Sequence, residues 1–337
     1  MHVLVIGGTR FVGYHLVWRL LAAGHRVTIM NRGTRPDPFG DAVERLRADR
    51  STPSFDAVMS GRRFDAVVDF AVYTASDAHG AVRALRDRTG HYVFISTGQV
   101  YLVRQGCPTP ARENDFQGPL LPQPADPTDL ENWRYGVEKR AAEDVFAAAF
   151  AERGFPYTSI RLPMVHGELD YFRRLEGYLW RLFDGGPVLL PEGADRPMRH
   201  VSSAAVVRCL TGLLGNAAAH GQAYNLAQDE TPSLNSLVTL LAQALGTQAR
   251  ILPIATAALR ESGLDPVAVS PLSDPWMSFL DPARAKGDLG FTHEPVRAYV
   301  ERFVACLLCN PPPDRPAGYQ RRGEDLRLAA ALSTDPR

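Results

Sequence analysis

The segment VLVIGGTRFVGYHLVWRLLAAGHRVTIMN, residues 3–31, constrains the fold more than any other part of the chain. It has the pattern of a β-strand, a glycine-rich turn, a helix and, after Gly24, a second strand. Gly7 and Gly8 permit the tight turn. Gly13 lets the helix lie close to the sheet and point its N-terminal amides at a pyrophosphate. This order predicts a dinucleotide-binding βαβ unit at the start of the chain.

Further short runs of β-branched and aromatic residues are separated by amphipathic helical patterns. They are HRVTIMN, FDAVVDFAV, HYVFIST, PYTSIRL and, after a long irregular stretch, QAYNLA at 222–227. Such alternation is typical of βαβ units in a buried parallel sheet. We therefore expect an α/β fold: a Rossmann-type doubly wound parallel sheet of about seven strands with a smaller mixed α/β substrate lobe.

The same pattern predicts how the chain is divided. Residues 1–165 should form the dinucleotide-binding domain, with 200–227 returning to it. Residues 166–199 and 228–310 should form the substrate lobe, and 311–337 a Pro-rich linker and C-terminal tail. Six prolines between residues 102 and 134 predict a long loop there, before a helical stretch that opens at YGVEK.

Composition narrows the class of partner. Lys plus Arg equal Asp plus Glu at 37 each, so no net field attracts nucleic acid or an anionic membrane. We expect a small-molecule substrate, no nucleic acid and no membrane partner. The absence of a signal-peptide pattern and the four cysteines predict a cytoplasmic protein with reduced thiols. Cys306 and Cys309 should be buried or partly buried thiols, and no histidine spacing predicts a metal site.

The glycine-rich turn carries most of the expected cofactor contacts. Arg10 stands where a glycine would bring the pyrophosphate closest, so it either contacts a phosphate or is a solvated arginine in the first turn. The turn residues expected to bind the cofactor are Gly7, Thr9, Arg10, Phe11, Val12 and Gly13.

The end of the second strand predicts which dinucleotide is preferred. An acidic residue there would bind the ribose hydroxyls of NAD, but this chain has Asn31 followed by Arg32 and Arg35. A guanidinium can bind a 2′-phosphate or stack on adenine. We therefore expect NAD(P) binding with NADP(H) favoured over NAD(H). Asp49, after the third expected strand, either meets the adenine amine or is a plain turn aspartate.

Three residues predict proton transfer beside a nicotinamide. Tyr135 and Lys139 are four apart and so share one face of a helix. A tyrosine, with an ordinary pKa near 10, becomes a useful base only when a nearby ammonium favours the phenolate. Thr97, at the carboxyl end of a strand, is placed to hold the substrate oxygen.

The motifs GGTRFVG, STGQVY and YGVEK, in that order, resemble the extended short-chain dehydrogenases/reductases and, more narrowly, the NAD-dependent epimerase/dehydratase family. RLPMVHG, RPMRHV, AYNLA and DPARAKGDLGF extend the resemblance over about residues 1–300. It implies that Tyr135 is the general base or acid and that Thr97 completes a triad. Lys139 would bind the nicotinamide ribose and lower the tyrosine pKa.

The resemblance also implies roles outside the triad. Pro163 would open the loop over the nicotinamide, and Arg196 would bind a substrate diphosphate unless it is a surface-loop arginine. Independently of the resemblance, His166 stands beside an expected substrate loop, where it would contact the substrate or make a structural hydrogen bond. Pairing of two subunits through the helix that carries the tyrosine predicts a homodimer.

Departures from the family pattern bear on the reaction. Sugar-nucleotide 4,6-dehydratases of this family have an Asp-Glu pair after the threonine, where this chain has Gly98 and Gln99. Dehydration is therefore disfavoured. Epimerisation of a sugar nucleotide or a related nucleoside or polyol is the first expectation, and NADPH-dependent reduction of such a substrate is the alternative. A catalytically silent nucleotide- or RNA-binding relative is the second alternative, against which stand the Tyr–Lys pair and the zero net charge.

Overall fold

The computed structural model describes residues 1–334; the last three residues of the expected C-terminal tail lie outside the described residues. The strands are β1 His2–Ile6, β2 Arg26–Asn31, β3 Val43–Arg47, β4 Ala66–Asp69, β5 Tyr92–Thr97, β6 Tyr157–Leu162, β7 Val165–His166, β8 Val188–Pro191, β9 Val201–Ser202, β10 Gln222–Asn225 and β11 Ile251–Ile254.

The helices lie between and after these strands. They are α1 Phe11–Ala22, α2 Ser54–Met59, α3 Ala75–Leu85, α4 Gln99–Leu102, α5 Pro127–Arg153, α6 Arg174–Phe183, α7 Ser203–Leu213, α8 Leu234–Leu245, α9 Thr256–Glu261, α10 Pro266–Val269, α11 Ala283–Leu289, α12 Val296–Cys309 and α13 Arg322–Thr334. Short 3₁₀ turns occupy Gly40–Ala42, Glu113–Phe116, Ala217–Ala219 and Ala317–Tyr319. Within residues 1–334, no helix combines the length and the apolar character needed to span a membrane.

A seven-stranded parallel sheet in the order β10-β6-β5-β4-β1-β2-β3 forms the centre of the fold. The chain builds outwards from β1 in one direction through β2 and β3, and in the other through β4 to β10. This confirms the expected Rossmann-type doubly wound sheet. Such a reversal of strand order leaves a crevice at the carboxyl ends of β1 and β4, which is where ligands bind on these sheets.

Both faces of the sheet are buried, which explains why its central strands are continuously apolar. In β1, Val3 and Val5 join one core cluster with Leu16 of α1. Leu4 and Ile6 join the other. Because side chains alternate across a strand, one apolar run supplies both cores.

The structure divides the chain into two compact units. The first contains Met1–Val165, His200–Ala227 and Ser278–His293, and the second contains His166–Arg199, Gln228–Met277 and the chain from Glu294 onward. The second unit has a parallel pair of strands, β8 and β11, and a core of its own around Leu189 and Ile254.

Residues 278–293 belong to the first unit, although the sequence suggested the substrate lobe for them. The reason is a set of long-range main-chain hydrogen bonds. The amide of Ala111 donates to the carbonyl of Phe279 at 2.9 Å, and the amide of Asp281 donates to the carbonyl of Ala111 at 2.8 Å. No local pattern in the sequence indicates this pairing.

The segment after residue 311 also differs from the expected linker and tail, because it packs into the second unit. Asp325 of α13 forms an ion pair with Arg181 at 3.1 Å, and both side chains are almost completely buried. Arg322 forms a second pair with Asp184 at 2.8 Å. These buried contacts fix α13 as a structural part of that unit.

Helix α5 begins at Pro127, eight residues before the predicted start at Tyr135. The carboxylate of Asp126 caps it by accepting hydrogen bonds from the amides of Thr128 and Asp129. Proline is tolerated at the first helical position because that amide has no partner within a helix. Tyr135 consequently lies in the third turn of a long helix rather than in a frayed first turn.

The thiols of Cys306 and Cys309 are exposed on α12, so the expectation that they are buried or partly buried was wrong. The helix presents its apolar face through Val300 and Phe303, and the cysteines fall outside that stripe. No cluster of three or more His, Cys, Asp or Glu side chains suited to a metal ion occurs within residues 1–334.

His91 predicts a pH dependence of stability. Its Nε2 lies 2.8 Å from the Thr158 hydroxyl, its Nδ1 accepts a hydrogen bond from the amide of Gly215, and the ring is fully buried beside His220. Burial lowers the pKa of His91 to about 4. The folded state therefore binds fewer protons than the unfolded state between pH 6.5 and 4, and stability is lost as the pH falls through this window.

We predict that His91 alone lowers the free energy of unfolding by about 2 kcal/mol between pH 7 and pH 5. Urea unfolding of the wild type and of His91→Gln at both pH values measures this contribution. The variant should lose less stability on acidification than the wild type by about that amount. An equal loss in both proteins would contradict the assignment.

Candidate active site

Thr97 is the last residue of β5, at the carboxyl edge of the sheet. The strand lies between β4 and β6, which fixes the position of its end. The Thr97 hydroxyl accepts a hydrogen bond from the amide of Gln99 at 3.2 Å and is almost completely buried. Thr97 thus lies at the carboxyl end of a sheet strand, as the sequence predicted.

Helix α5 brings Tyr135 and Lys139 together, as their spacing predicted. The Lys139 ammonium lies 5.8 Å from the centre of the Tyr135 ring. It donates hydrogen bonds to the carbonyls of Val72 at 2.6 Å and Ile95 at 2.9 Å. Ile95 is two residues before Thr97 in β5, so Lys139 ties the tyrosine-bearing helix directly to the strand that ends in the threonine.

The environment of Lys139 is unusual for a lysine. The side chain is 2% exposed, and within residues 1–334 its ammonium forms no ion pair. The rings of Tyr73 and Phe94 lie 5.0 and 4.8 Å from it. Burial lowers the pKa of Lys139 to about 7, a shift that Asp69 and Glu143 partly oppose from a distance. An ammonium has three N–H donors, and two carbonyls leave one for a ribose hydroxyl.

A buried ion pair lies under the site. Arg161 of β6 contacts Glu143 of α5 through three hydrogen bonds, of 2.6, 3.1 and 3.2 Å. The Ser96 hydroxyl, next to Thr97, donates to the same carboxylate at 2.5 Å. One turn after Lys139, therefore, α5 is joined to both β5 and β6.

The network continues from Arg161 towards the edge of the sheet. Arg161 donates to the Tyr101 hydroxyl at 2.6 Å, which donates to the Asn225 side chain at 2.9 Å. The main-chain N–H of Asn225 donates to the carboxylate of Glu113 at 2.8 Å, and burial raises the pKa of that carboxyl group. Sequence reasoning missed these supports. The signal that could have indicated them is a charged residue among buried apolar ones, as Arg161 is in β6 and Glu143 is in α5.

The glycine-rich turn brings its main chain close together at two glycines. Gly7 has a φ of +85°, and a Cβ on Gly13 would lie 2.7 Å from the Gly7 carbonyl oxygen. Arg10 is exposed and is the N-cap residue of α1, yet it makes no side-chain capping bond in the described chain. The first amides of α1 are thus not capped by a side chain, which suits an anion at this helix end.

The other turn residues are expected to contribute through their main chain. Phe11 and Val12 are almost completely buried in the core below the turn. Thr9 is half-buried beside them. The main-chain groups of these three residues are the ones expected to reach a bound dinucleotide.

At the adenosine end, Asn31 is the last residue of β2. Its Oδ1 accepts hydrogen bonds from the Gly33 amide, at 2.8 Å, and from Arg47. Its Nδ2 is buried and has no hydrogen-bond partner in the described chain. Arg32 is exposed. The sequence did not single out Arg47, which the register of β3 places opposite Asn31.

Asp49 is engaged in a local turn. One carboxylate oxygen accepts hydrogen bonds from the amide and the hydroxyl of Ser51, at 3.0 and 2.6 Å. These bonds lower the pKa of Asp49. Of the two readings that the sequence left open, this geometry is that of a turn aspartate, and contact with adenine stays a prediction.

Pro163 follows β6 in the first unit, next to Leu162, whose carbonyl accepts a hydrogen bond from the amide of Gly98 at 2.7 Å. His166 and Arg196 belong to the second unit. His166 is fully buried, with its ring 6.4 Å from that of Tyr299. Their contacts with substrate stay predictions.

The Arg196 guanidinium is half-buried and donates to two main-chain carbonyls, those of Gly193 and Asp274. Neither acceptor neutralises its charge. The side chain therefore retains the positive charge that a diphosphate would require.

Comparison with known proteins places this site in a family context. A model described as the NAD dependent epimerase/dehydratase family matches residues 3–227. The chain is 28% identical over 253 residues to 2′-dehydrokanamycin reductase of Streptomyces kanamyceticus, covering 73% of this chain and 67% of that protein. It is 25% identical over 260 residues to the chloroplast stem-loop binding protein of 41 kDa b of Arabidopsis thaliana, covering 72% and 63%. It spans about two thirds of the length of these relatives.

A solved structure shows the same fold. The UDP-glucose 4-epimerase of Thermotoga maritima, determined with UDP-glucose, superposes with a TM-score of 0.72 at 17% identity. The match covers 92% of this chain and 99% of that one. At this identity the likeness concerns the fold and not the substrate.

The Glu143–Arg161 pair predicts a stability effect. Glu143→Gln removes the charge that neutralises Arg161 in a buried position, so the free energy of unfolding should fall by about 3 kcal/mol. Glu138→Gln, at an exposed position of the same helix, is the matched control and should change stability by less than about 0.5 kcal/mol. Equal effects of the two substitutions in denaturant unfolding would show that the buried pair does not support α5.

Proposed function

Because the chain belongs to the NAD-dependent epimerase/dehydratase family, we propose that it interconverts a secondary alcohol and a ketone on a sugar nucleotide or a related nucleoside or polyol. One observation carries this proposal. The buried Lys139 ammonium lies against the Tyr135 ring and is hydrogen-bonded to the strand that ends in Thr97. That grouping suits proton transfer at a hydroxyl-bearing carbon.

Each residue of the triad has a distinct task. Thr97 holds the substrate oxygen, and Tyr135 takes the hydroxyl proton during oxidation or returns it during reduction. Lys139 uses its remaining N–H to orient the nicotinamide ribose, while its charge favours the phenolate of Tyr135. When bound, the nicotinamide supplies or accepts the hydride.

The first unit offers a binding surface for the whole dinucleotide. The amides at the start of α1 would hold the pyrophosphate, and Gly7 and Gly13 would allow its close approach. The buried Nδ2 of Asn31 would donate to the adenosine ribose or to a phosphate on it. The family is named for NAD, so our preference for NADP(H) rests on the arginines of this chain alone.

Within the family, we favour epimerisation over dehydration. A Cβ on residue 98 would lie 2.0 Å from the Ser278 hydroxyl, which leaves no room for an aspartate there. The Gln99 amide donates to the Asn132 side chain at 3.1 Å and cannot exchange a proton as a carboxyl group does. In the epimerase the ketone formed on the bound substrate would turn over before the hydride returned to its other face.

Net reduction is the second candidate. Two observations favour it: the similarity to a protein named as a reductase and the basic residues around Asn31, since an NADP preference suits a cofactor that is exchanged in every turnover.

The similarity to a stem-loop binding protein suggests RNA binding as a third function. The Tyr–Lys pair and the zero net charge favour chemistry on a small molecule. The homodimer stays a prediction, which sedimentation at micromolar concentration tests.

Turnover assays test the proposal. The wild type should convert sugar nucleotides or related ketones, and Tyr135→Phe should lower kcat by at least about 100-fold while still binding dinucleotide. Tyr14→Phe, on α1 and with its ring packed against Phe39, is the control and should retain activity. Unchanged turnover in Tyr135→Phe would refute the triad.

The same assays separate the two reactions. An epimerase should invert the substrate carbon with no net consumption of cofactor. A reductase should oxidise one NADPH for each product formed. Co-purifying dinucleotide, identified by mass spectrometry, would support the epimerase.

A further inference from the structure

Arg47 occupies a position that its sequence context does not reveal. It is the last residue of β3, the edge strand of the sheet, and lies directly opposite Asn31 in the parallel register. Its guanidinium donates a hydrogen bond to Asn31 Oδ1. A cation is therefore fixed at the carboxyl end of β2, the part of a dinucleotide-binding sheet that meets the adenosine ribose.

Arg47 has no carboxylate at ion-pair distance within residues 1–334, although Asp37 lies near enough to interact with it electrostatically. Arg45, two residues earlier on the same strand, forms an ion pair with Asp37 through two hydrogen bonds of 2.6 and 3.1 Å. Arg47 forms no ion pair within residues 1–334, and its hydrogen bond there is to a neutral amide oxygen. Arg45 and Arg47 lie on the same strand, but only Arg45 forms an ion pair with a carboxylate of the described chain.

Residue 33 allows Arg47 to lie across the end of β2. A Cβ on Gly33 would lie 3.0 Å from Arg47 Cδ and 3.2 Å from Nε, so a larger residue would displace the side chain. The Gly33 amide donates to Asn31 Oδ1, the oxygen that Arg47 also contacts. This leaves the buried Asn31 Nδ2 as a second donor without a partner in the described chain.

We propose that Arg47 recognises the 2′-phosphate of NADP(H), with the Nδ2 of Asn31 as the second donor and exposed Arg32 adding positive charge. A guanidinium binds phosphate oxygens bidentately, and an amide N–H completes the acceptor shell of a dianion. This inference rests on the proposed function, because it requires a dinucleotide at the glycine-rich turn. It assigns the cofactor preference to a residue on β3 rather than to the arginines that directly follow β2.

Direct binding titrations test the assignment without catalysis. NADPH and NADH are titrated against the wild type and Arg47→Gln by fluorescence, and 2′,5′-ADP and 5′-AMP serve as probes that lack a nicotinamide. Arg47→Gln should weaken NADPH and 2′,5′-ADP by about 10- to 100-fold. NADH and 5′-AMP should bind with unchanged affinity, which also verifies that the variant is folded. Arg45→Gln is the matched control and should keep the NADPH preference.

A second variant, Asn31→Asp, tests the role of Arg47 by changing its hydrogen-bond partner instead of Arg47 itself. Asn31→Asp places a carboxylate against Arg47, neutralises it and offers an acceptor to the ribose hydroxyls. It should lower NADPH affinity and raise NADH affinity.

The outcomes separate this inference from the proposal on which it rests. Unchanged NADPH affinity in Arg47→Gln, or an equal loss for both dinucleotides, would overturn the role of Arg47 and leave the proposed function standing. A wild type that binds neither dinucleotide would overturn both.

Discussion

The site depends on the ammonium of Lys139, which is buried and hydrogen-bonded to main-chain carbonyls rather than to a carboxylate. Removing a charge from water is costly, and Lys139 recovers only part of that cost from two main-chain carbonyls and the faces of aromatic rings. The sequence contains two lysines, Lys139 and Lys286, among 37 cationic residues. A chain that uses arginine almost everywhere has lysine at this position. An arginine would place a planar, permanently charged guanidinium there, whereas lysine has a compact ammonium whose pKa shifts on burial.

The polar network under the site offsets this cost by fixing the elements around it. Helix α5 starts early, at Pro127, and is joined to β5 and β6 through Glu143 and Arg161. Tyr135 and Lys139 project from the part of the helix between its capped start and this pair. The buried Lys139 thus lies on a helix that the Glu143–Arg161 network joins to β5 and β6.

The sequence predicted the features that depend on local patterns. The glycine-rich turn, the apolar strands and the four-residue spacing of Tyr135 and Lys139 each follow from residues close together in the chain. The sequence did not predict features that depend on distant partners. Examples are the pairing of Ala111 with Phe279 and the ion pair of Arg181 with Asp325.

The edge strand β3 carries a weaker sequence signal than the central strands. Its sequence VERLR has only two apolar residues, Val43 and Leu46, and each is buried in a different core cluster. The strand therefore lacks the continuous apolar signal of β1 or β5. For the same reason Arg47 had the appearance of an ordinary exposed arginine. Its significance follows from the register with Asn31, which only the folded sheet supplies.

The central claim, that Lys139 is a desolvated cation poised near neutrality, is open to a direct measurement. The protein, labelled with ¹³C at the lysine ε-carbon, contains two reporters, and Lys286→Arg removes one, so the remaining signal belongs to Lys139. In the absence of dinucleotide, its chemical shift should titrate with a midpoint of about 7. A midpoint near the ordinary lysine value of about 10.4 would show that the ammonium is solvated and would contradict the account.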